Sequence, residues 1–168
     1  MRIFEESQKI IDNKLFYGLF VVLTIPIVSI SKQWISSIDK SLTSNLDLVL
    51  SASIILVVIF FLFSIKLKTR IDNEGIKYQV YPIHFKIKFI PWSEINKFYI
   101  RKYSPISEYG GWGYRINFFN KNKGKAINIS GNIGIQLELK SDKKLLIGTR
   151  LKEKAEQTLL YYKNKKND

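Results

Sequence analysis

The sequence predicts an α+β chain: two apolar helices, then an antiparallel β-barrel or sandwich of about seven strands capped by a C-terminal α-helix. Three observations predict it. Leu15–Ser31 and Leu48–Ile65 contain no charged residue. From Thr69 onward apolar and polar residues alternate with a period of two. Near the C-terminus Leu151, Ala155, Leu159 and Tyr162 recur at helical spacing.

The chain has 168 residues, enough for one ordinary domain and a little more. Its formal charge of +13 is unevenly placed. Residues 1–65 balance Arg2, Lys9, Lys14, Lys32 and Lys40 against Glu5, Glu6, Asp12, Asp39 and Asp47, so the whole excess lies beyond position 65. Such asymmetry points to an anionic partner, either nucleic acid or a lipid surface. The absence of cysteine excludes disulfides, thiolate metal sites and cysteine nucleophiles.

The two apolar segments read as a transmembrane hairpin. Each uncharged run spans about 26 Å at ~1.5 Å per residue, near the short limit for a ~30 Å hydrocarbon core. Lys14 and Lys66 can snorkel, and Phe16, Tyr17 and Trp34 suit an interfacial belt. Pro26 is better tolerated in a membrane helix than in a soluble one. The expected order is an N-terminal segment over 1–14, helix 1 over 15–35, an external loop over 36–46 and helix 2 over 47–66. A buried pair of helices is disfavoured, because a chain this small cannot surround two segments apolar on every face. A cleaved signal peptide lacks its small-residue site after Ser31. Lys66, Lys68 and Arg70 cluster after the second span, so both termini and the β domain are expected on the cytoplasmic side of the inner membrane. No ionisable group lies within the spans, which argues against transport by the hairpin alone.

The β domain is expected over 69–163, followed by a polar tail over 164–168. Its candidate strands are 75–81, 84–90, 95–102, 114–120, 125–130, 135–140 and 144–148. In "HFKIKFI" (84–90), Phe85, Ile87 and Phe89 share one face, and His84, Lys86 and Lys88 the other. "DNEG" (72–75), "NKNKG" (120–124) and "SDKK" (141–144) supply turns, and Pro82 and Pro91 mark strand ends. The helix is expected over 152–165, with Thr149 as N-cap and Glu153 in its first turn. "IPWSEI" (90–95), "YGGWGYR" (109–115) and "SGNIGIQLELKSDKKLLIGTR" (130–150), with the final helix, resemble the bacterial pleckstrin-homology-like (PH-like) domains that follow a two-helix membrane anchor. That resemblance implies a fold and a location, with no reaction attached.

Two surfaces stand out as candidates. In "YSPISEYGGWG" (103–113), Gly110, Gly111 and Gly113 permit a sharp entry into the next strand. Trp112 then plugs the open end of the domain or, with Arg115 and the glycines, anchors a partner; packing is preferred, since large aromatics in small domains more often pack. The second surface is basic: Lys66, Lys68, Arg70, Lys86 and Lys88 are candidate contacts for anionic lipid headgroups. No loop concentrates lysine and arginine tightly enough for headgroup specificity, and a tethered domain is a poor nucleic-acid binder.

No catalytic or metal-binding constellation is recognisable, and no cofactor is expected. His84 is the sole histidine and reads as an inert, exposed imidazole. The carboxylates are scattered, and "GGWG" and "SGNIG" lack the context of a phosphate loop. Asn128-Ile129-Ser130 fits a glycosylation sequon and is discounted on the cytoplasmic side. Trp92 reads as packing. The expected function is a non-enzymatic, membrane-anchored PH-like binding or scaffold module. The alternative is an accessory subunit of a larger membrane enzyme or transporter, contacted through Ser51, Ala52 and Ser53. Self-association through a free edge strand is a further expectation.

Overall fold

The computed structural model describes residues 2–10, 42–116 and 124–167, together with scattered positions between 17 and 32. The chain divides into two compact units, Met1–Lys9 with Lys66–Asp168, and Ile10–Ile65. The first unit starts with β1 (Phe4–Lys9). The second unit contains α1 (Leu42–Ser64). The first then resumes with β2 (Lys66–Ile71), β3 (Gly75–Tyr81) and β4 (Lys88–Pro91).

These four strands form one antiparallel sheet in chain order. Lys9 pairs with Lys66, so residues 10–65 are an insertion between two neighbouring strands. Alternation decides what β2 buries: Leu67, Thr69 and Ile71 point inward, while Lys68 and Arg70 are exposed. In β1 the buried positions are Phe4 and Gln8, with Glu6 half-buried between them. At the hairpin linking β2 to β3, Asp72 accepts the Glu74 N–H, and the Asp72 N–H donates to the Gly75 carbonyl.

A single 3-10 turn, Trp92–Glu94, carries the chain into the second sheet. There β5 (Ile95–Lys102) is followed by a short helix α2 (Pro105–Tyr109), then β6 (Gly113–Ile116), β7 (Lys125–Asn128), β8 (Ile133–Leu139) and β9 (Lys144–Gly148). The strand order is β5-β8-β9-β7-β6, and β7 pairs with β9 in parallel. The inner strands are buried on both faces. Ile127, Ile135 and Ile147 share one register row, and Ala126 and Leu146 another, packed with Tyr103 and Tyr109.

The chain closes with α3 (Lys152–Asn167). Ala155, Thr158, Leu159 and Tyr162 are buried, and the helix packs against β1, β5 and β8. Full burial of one such aliphatic side chain stabilises by about 1.5–3 kcal/mol. Tyr162 also stacks on Trp92, which stacks on Phe98 and donates its indole N–H to the Asp72 carbonyl, so one aromatic group ties α3 to both sheets. Thr149 acts at the helix start by accepting the Leu151 N–H, whereas Leu151 itself is partly exposed.

The expected architecture needs correction. Among the described residues no helix is long and apolar enough to cross a membrane, and no N-terminal transmembrane hairpin is seen. Although α1 has 23 residues, Thr43, Ser44, Asn45 and Asp47 occupy its first turns. The uncharged remainder, 48–64, extends for about 25 Å, at the lower limit of what a ~30 Å hydrocarbon core needs. Helix 1 and the external loop, read over 15–35 and 36–46, fall mostly outside the described residues. The integral, multi-pass inner-membrane placement, and the orientation derived from it, are withdrawn.

The β domain also differs from a seven-strand antiparallel plan. The described residues hold nine strands in two sheets, one pair of them parallel. A boundary at Thr69 cuts β2 in half and omits β1. The strand expected over 84–90 begins only at Lys88, because residues 82–86 turn and the His84 N–H donates to the Val80 carbonyl. The strand read over 114–120 is described only to Ile116.

Candidate binding face

The outward surface of the first sheet is assembled by register. Glu5, Arg70, Lys77 and Phe89 form one cross-strand row; Ser7, Lys68 and Gln79 form the next; Lys9, Lys66 and Tyr81 form the third. Between the first two rows lies a shallow groove of about 540 Å³ reaching Ile87. Lys66, Lys68 and Arg70, grouped by the sequence, thus occupy one column of this face. Lys86 and Lys88 do not extend it. Lys88 pairs with Tyr78, on the opposite side of the sheet from Phe89, and is exposed because β4 is an edge strand.

The cations of the face differ in how far they are compensated. Arg70 donates to Glu5 at 2.6 Å and to Asp72 at 3.0 Å. Lys77 donates to Asp72 at 3.1 Å and also pairs with Glu74. Burial would raise the Asp72 pKa, but hydrogen bonds from Lys77, the Glu74 N–H and Arg70 outweigh it and hold the carboxyl below its ordinary value. Lys66 lies over the Tyr81 ring and Lys77 over Phe89, both at 5.2 Å. Lys68 has no ion-pair partner among the described residues.

At the Tyr81 end the chain turns through a segment rich in exposed apolar groups. Phe85 is 87% exposed and Ile87 63%, with Ile83 and Phe89 about half exposed. This reverses the sequence expectation, in which Phe85, Ile87 and Phe89 formed a common apolar face. The inward side chain of the segment is Ile90. His84 is half-buried rather than freely exposed: its Nδ1 accepts the Val80 N–H at 3.4 Å and its ring meets Tyr78 and Tyr114 edge-on. Burial lowers its pKa, reinforced by Lys88 and Lys125.

The glycine-rich loop forms a separate feature. Gly110 ends α2 in a left-handed conformation, φ 71°, that a β-carbon would strain. The Trp112 indole N–H donates to the Gly131 carbonyl at 3.0 Å, leaving the ring half-exposed. Arg115 folds back so that its Nε donates to the Trp112 carbonyl, and the Gly113 N–H donates to Asn128 Oδ1. Gly110, Gly111, Trp112, Gly113 and Arg115 therefore make one local loop, bonded internally and to the β7–β8 turn. Asn128 is 1% exposed and its amide also donates to the Tyr103 hydroxyl, which removes it as a glycan acceptor.

The sequence reading missed Lys9, Lys77 and Gln79 as members of the basic face. The signal was present in "KLKTRI" and "GIKYQVY", whose period-two alternation assigns every second residue to one side. Among the described residues no group of three or more His, Cys, Asp or Glu side chains could hold a metal ion. No protein-family model matches the chain, and no curated protein or solved structure matches it. The face is therefore judged on its own chemistry.

Proposed function

We propose that the chain is a non-enzymatic binding or scaffold module whose outward β1–β3 face docks onto an anionic partner surface. The observation that carries this reading is the register that aligns Lys66, Lys68, Arg70 and Lys77 beside a groove with exposed aromatic rings at its border. Phosphate- or carboxylate-bearing surfaces fit such a face, and steering by its charge adds to association rate. Two sheets closed by a C-terminal helix support the PH-like reading, whereas the parallel β7–β9 pair departs from it.

Binding of the full chain to acidic phospholipid vesicles and to polyglutamate, each read against increasing salt, tests the proposal. The expected result is salt-sensitive binding to one of them that weakens roughly fivefold for each charge removed in Lys66→Gln and Lys68→Gln. Binding to neither, or binding indifferent to these lysines, refutes it.

A second reading is an accessory subunit of a larger complex, held through α1. Leu50, Ile54, Leu56, Val57 and Phe60 are each more than 60% exposed, and an apolar surface that size requires cover. Purification of the native assembly with its partners intact tests it; a chain isolated alone speaks against it.

A further inference from the structure

We infer that the turn over Tyr81–Phe89 is an insertion element that seats Phe85 and Ile87 in the apolar layer of an anionic lipid surface. The inference rests on the anionic-face reading above and names its partner class. Four observations carry it.

First, among the described residues of the β unit, Phe85 and Ile87 are the most exposed large apolar side chains apart from Ile106 on α2. Singly exposed apolar residues are ordinary, but here Ile83, Phe85, Ile87 and Phe89 lie within one short segment. Second, the segment is built rather than loose. Gln79 Nε2 donates to the His84 carbonyl at 3.1 Å and the Phe85 carbonyl at 3.3 Å, and the His84 N–H donates to the Val80 carbonyl at 2.6 Å. With the His84 ring turned inward between Tyr78 and Tyr114, the next side chain points out. Third, the charges interleaved with the apolar groups, Lys86 and Lys88, are both basic, and Lys66 and Lys77 lie over the flanking Tyr81 and Phe89 rings. Fourth, Tyr81 closes the row of Lys9 and Lys66, so the turn continues the basic face instead of opposing it.

Two apolar side chains separated by Lys86, with the Lys66 and Lys77 ammonium groups over the flanking rings, match a medium that is apolar beneath and negative at its surface. Interfacial elements of anionic lipid layers have this composition. An acidic protein surface satisfies the lysines but offers no continuous apolar layer to both side chains.

The chain lacks cysteine, so Phe85→Cys creates a unique thiol for an environment-sensitive fluorophore, with Ser141→Cys in the exposed β8–β9 turn as reference. Full-length protein is mixed with phosphatidylcholine vesicles, with the same vesicles containing phosphatidylglycerol, or with polyglutamate. The expected result is a blue-shifted emission at position 85 with the anionic vesicles alone, unchanged emission at 141, and loss of the shift in Lys86→Glu/Lys88→Glu. An unlabelled Phe85→Ser/Ile87→Ser variant binds those vesicles at least roughly tenfold more weakly.

A label at 85 that stays in water while the vesicles bind in a salt-sensitive way overturns the insertion and leaves the anionic face standing. Binding to neither anionic probe overturns both. A shift caused by polyglutamate and not by vesicles assigns the segment to an acidic protein and overturns the lipid inference.

Discussion

The Glu6 carboxylate joins the first strand to the start of the last helix: Oε2 accepts the Thr149 hydroxyl at 2.6 Å and Oε1 the Arg150 N–H at 2.8 Å. Gln8 adds a third link from the same strand, its Nε2 donating to the Gly148 carbonyl at 2.8 Å. At the strand's start, Tyr162 donates to the Arg2 carbonyl and Arg2 to Gln157. β1 is thus held by its own ladder to β2 and by polar contacts to β9 and α3.

From this it follows that Glu6→Ala destabilises the β unit. A hydrogen bond to a charged group contributes about 1.5–3 kcal/mol, and this half-exposed carboxylate accepts two, so a loss of about 2 kcal/mol is expected. Urea unfolding of the full chain, followed by near-ultraviolet signal from the Trp92 cluster, measures it. An unchanged midpoint would show that the ladder alone holds β1. By the same reasoning a fragment starting at Thr69 lacks β1 and part of β2 and does not unfold cooperatively, whereas one joining residues 2–9 to residues 66–168 does.

Asp72 is the second point of dependence. Its carboxylate is almost fully buried and receives Arg70, Lys77 and the Glu74 N–H. Its lowered pKa means that the folded state binds the proton less tightly than the unfolded chain. The associated stability is complete above the unfolded value of about 3.9 and is lost as pH falls through the lower folded value. Asp72→Asn is expected to cost about 1–3 kcal/mol at neutral pH, and to flatten the fall of the urea midpoint in that acid window. A variant whose acid profile follows the parent's would remove Asp72 as its cause.

How much of this could be read beforehand differs by element. Strands 75–81, 95–102 and 144–148 form with the bounds that their alternation indicates. β1 was illegible because its inward positions alternate as Phe4, Glu6 and Gln8; polar groups there are tolerated only through Thr149, Arg150 and Gly148, far away in sequence. β2 was hidden differently. "KLKTR" reads as a basic flank to an apolar run, although its period, continued to Ile71, marks Leu67, Thr69 and Ile71 as sharing one face. The segment over 84–90 misled because its apolar period is real but its face is outward, and local pattern gives alternation without direction. The same ambiguity affected the candidate face, whose lysines were visible while the rows joining them to Lys9 and Lys77 were not.

Gly75 provides a test of close packing within the first sheet. It sits at φ 156° opposite Pro91, and a β-carbon placed on it would come 2.2 Å from the Ile90 carbonyl oxygen. Gly75→Ala must therefore push β4 away from β3, at an expected cost of about 1–3 kcal/mol. At Gly131 a β-carbon meets open space, so Gly131→Ala pays only for its positive φ, about 1 kcal/mol. Thermal melts of the two variants compare them directly, and equal losses would show that the β3–β4 contact yields freely.

His84 links stability to pH in the turn that carries Phe85. The groups facing it are the Val80 N–H, the rings of Tyr78 and Tyr114, and the ammonium groups of Lys88 and Lys125. The burial and the two ammonium groups disfavour imidazolium. Protonation removes the Nδ1 acceptor, buries a charge and adds a third cation to the two lysines. Because the folded pKa is lowered, the contribution of neutral His84 is complete above the unfolded value of about 6.5 and declines as pH falls through the folded value. The urea midpoint of the parent chain is accordingly expected to fall as pH drops below about 6.5, and His84→Gln, which keeps an acceptor without titrating, is expected to level that decline. If both proteins lose stability equally across the window, another group titrates there and the histidine does not govern the turn.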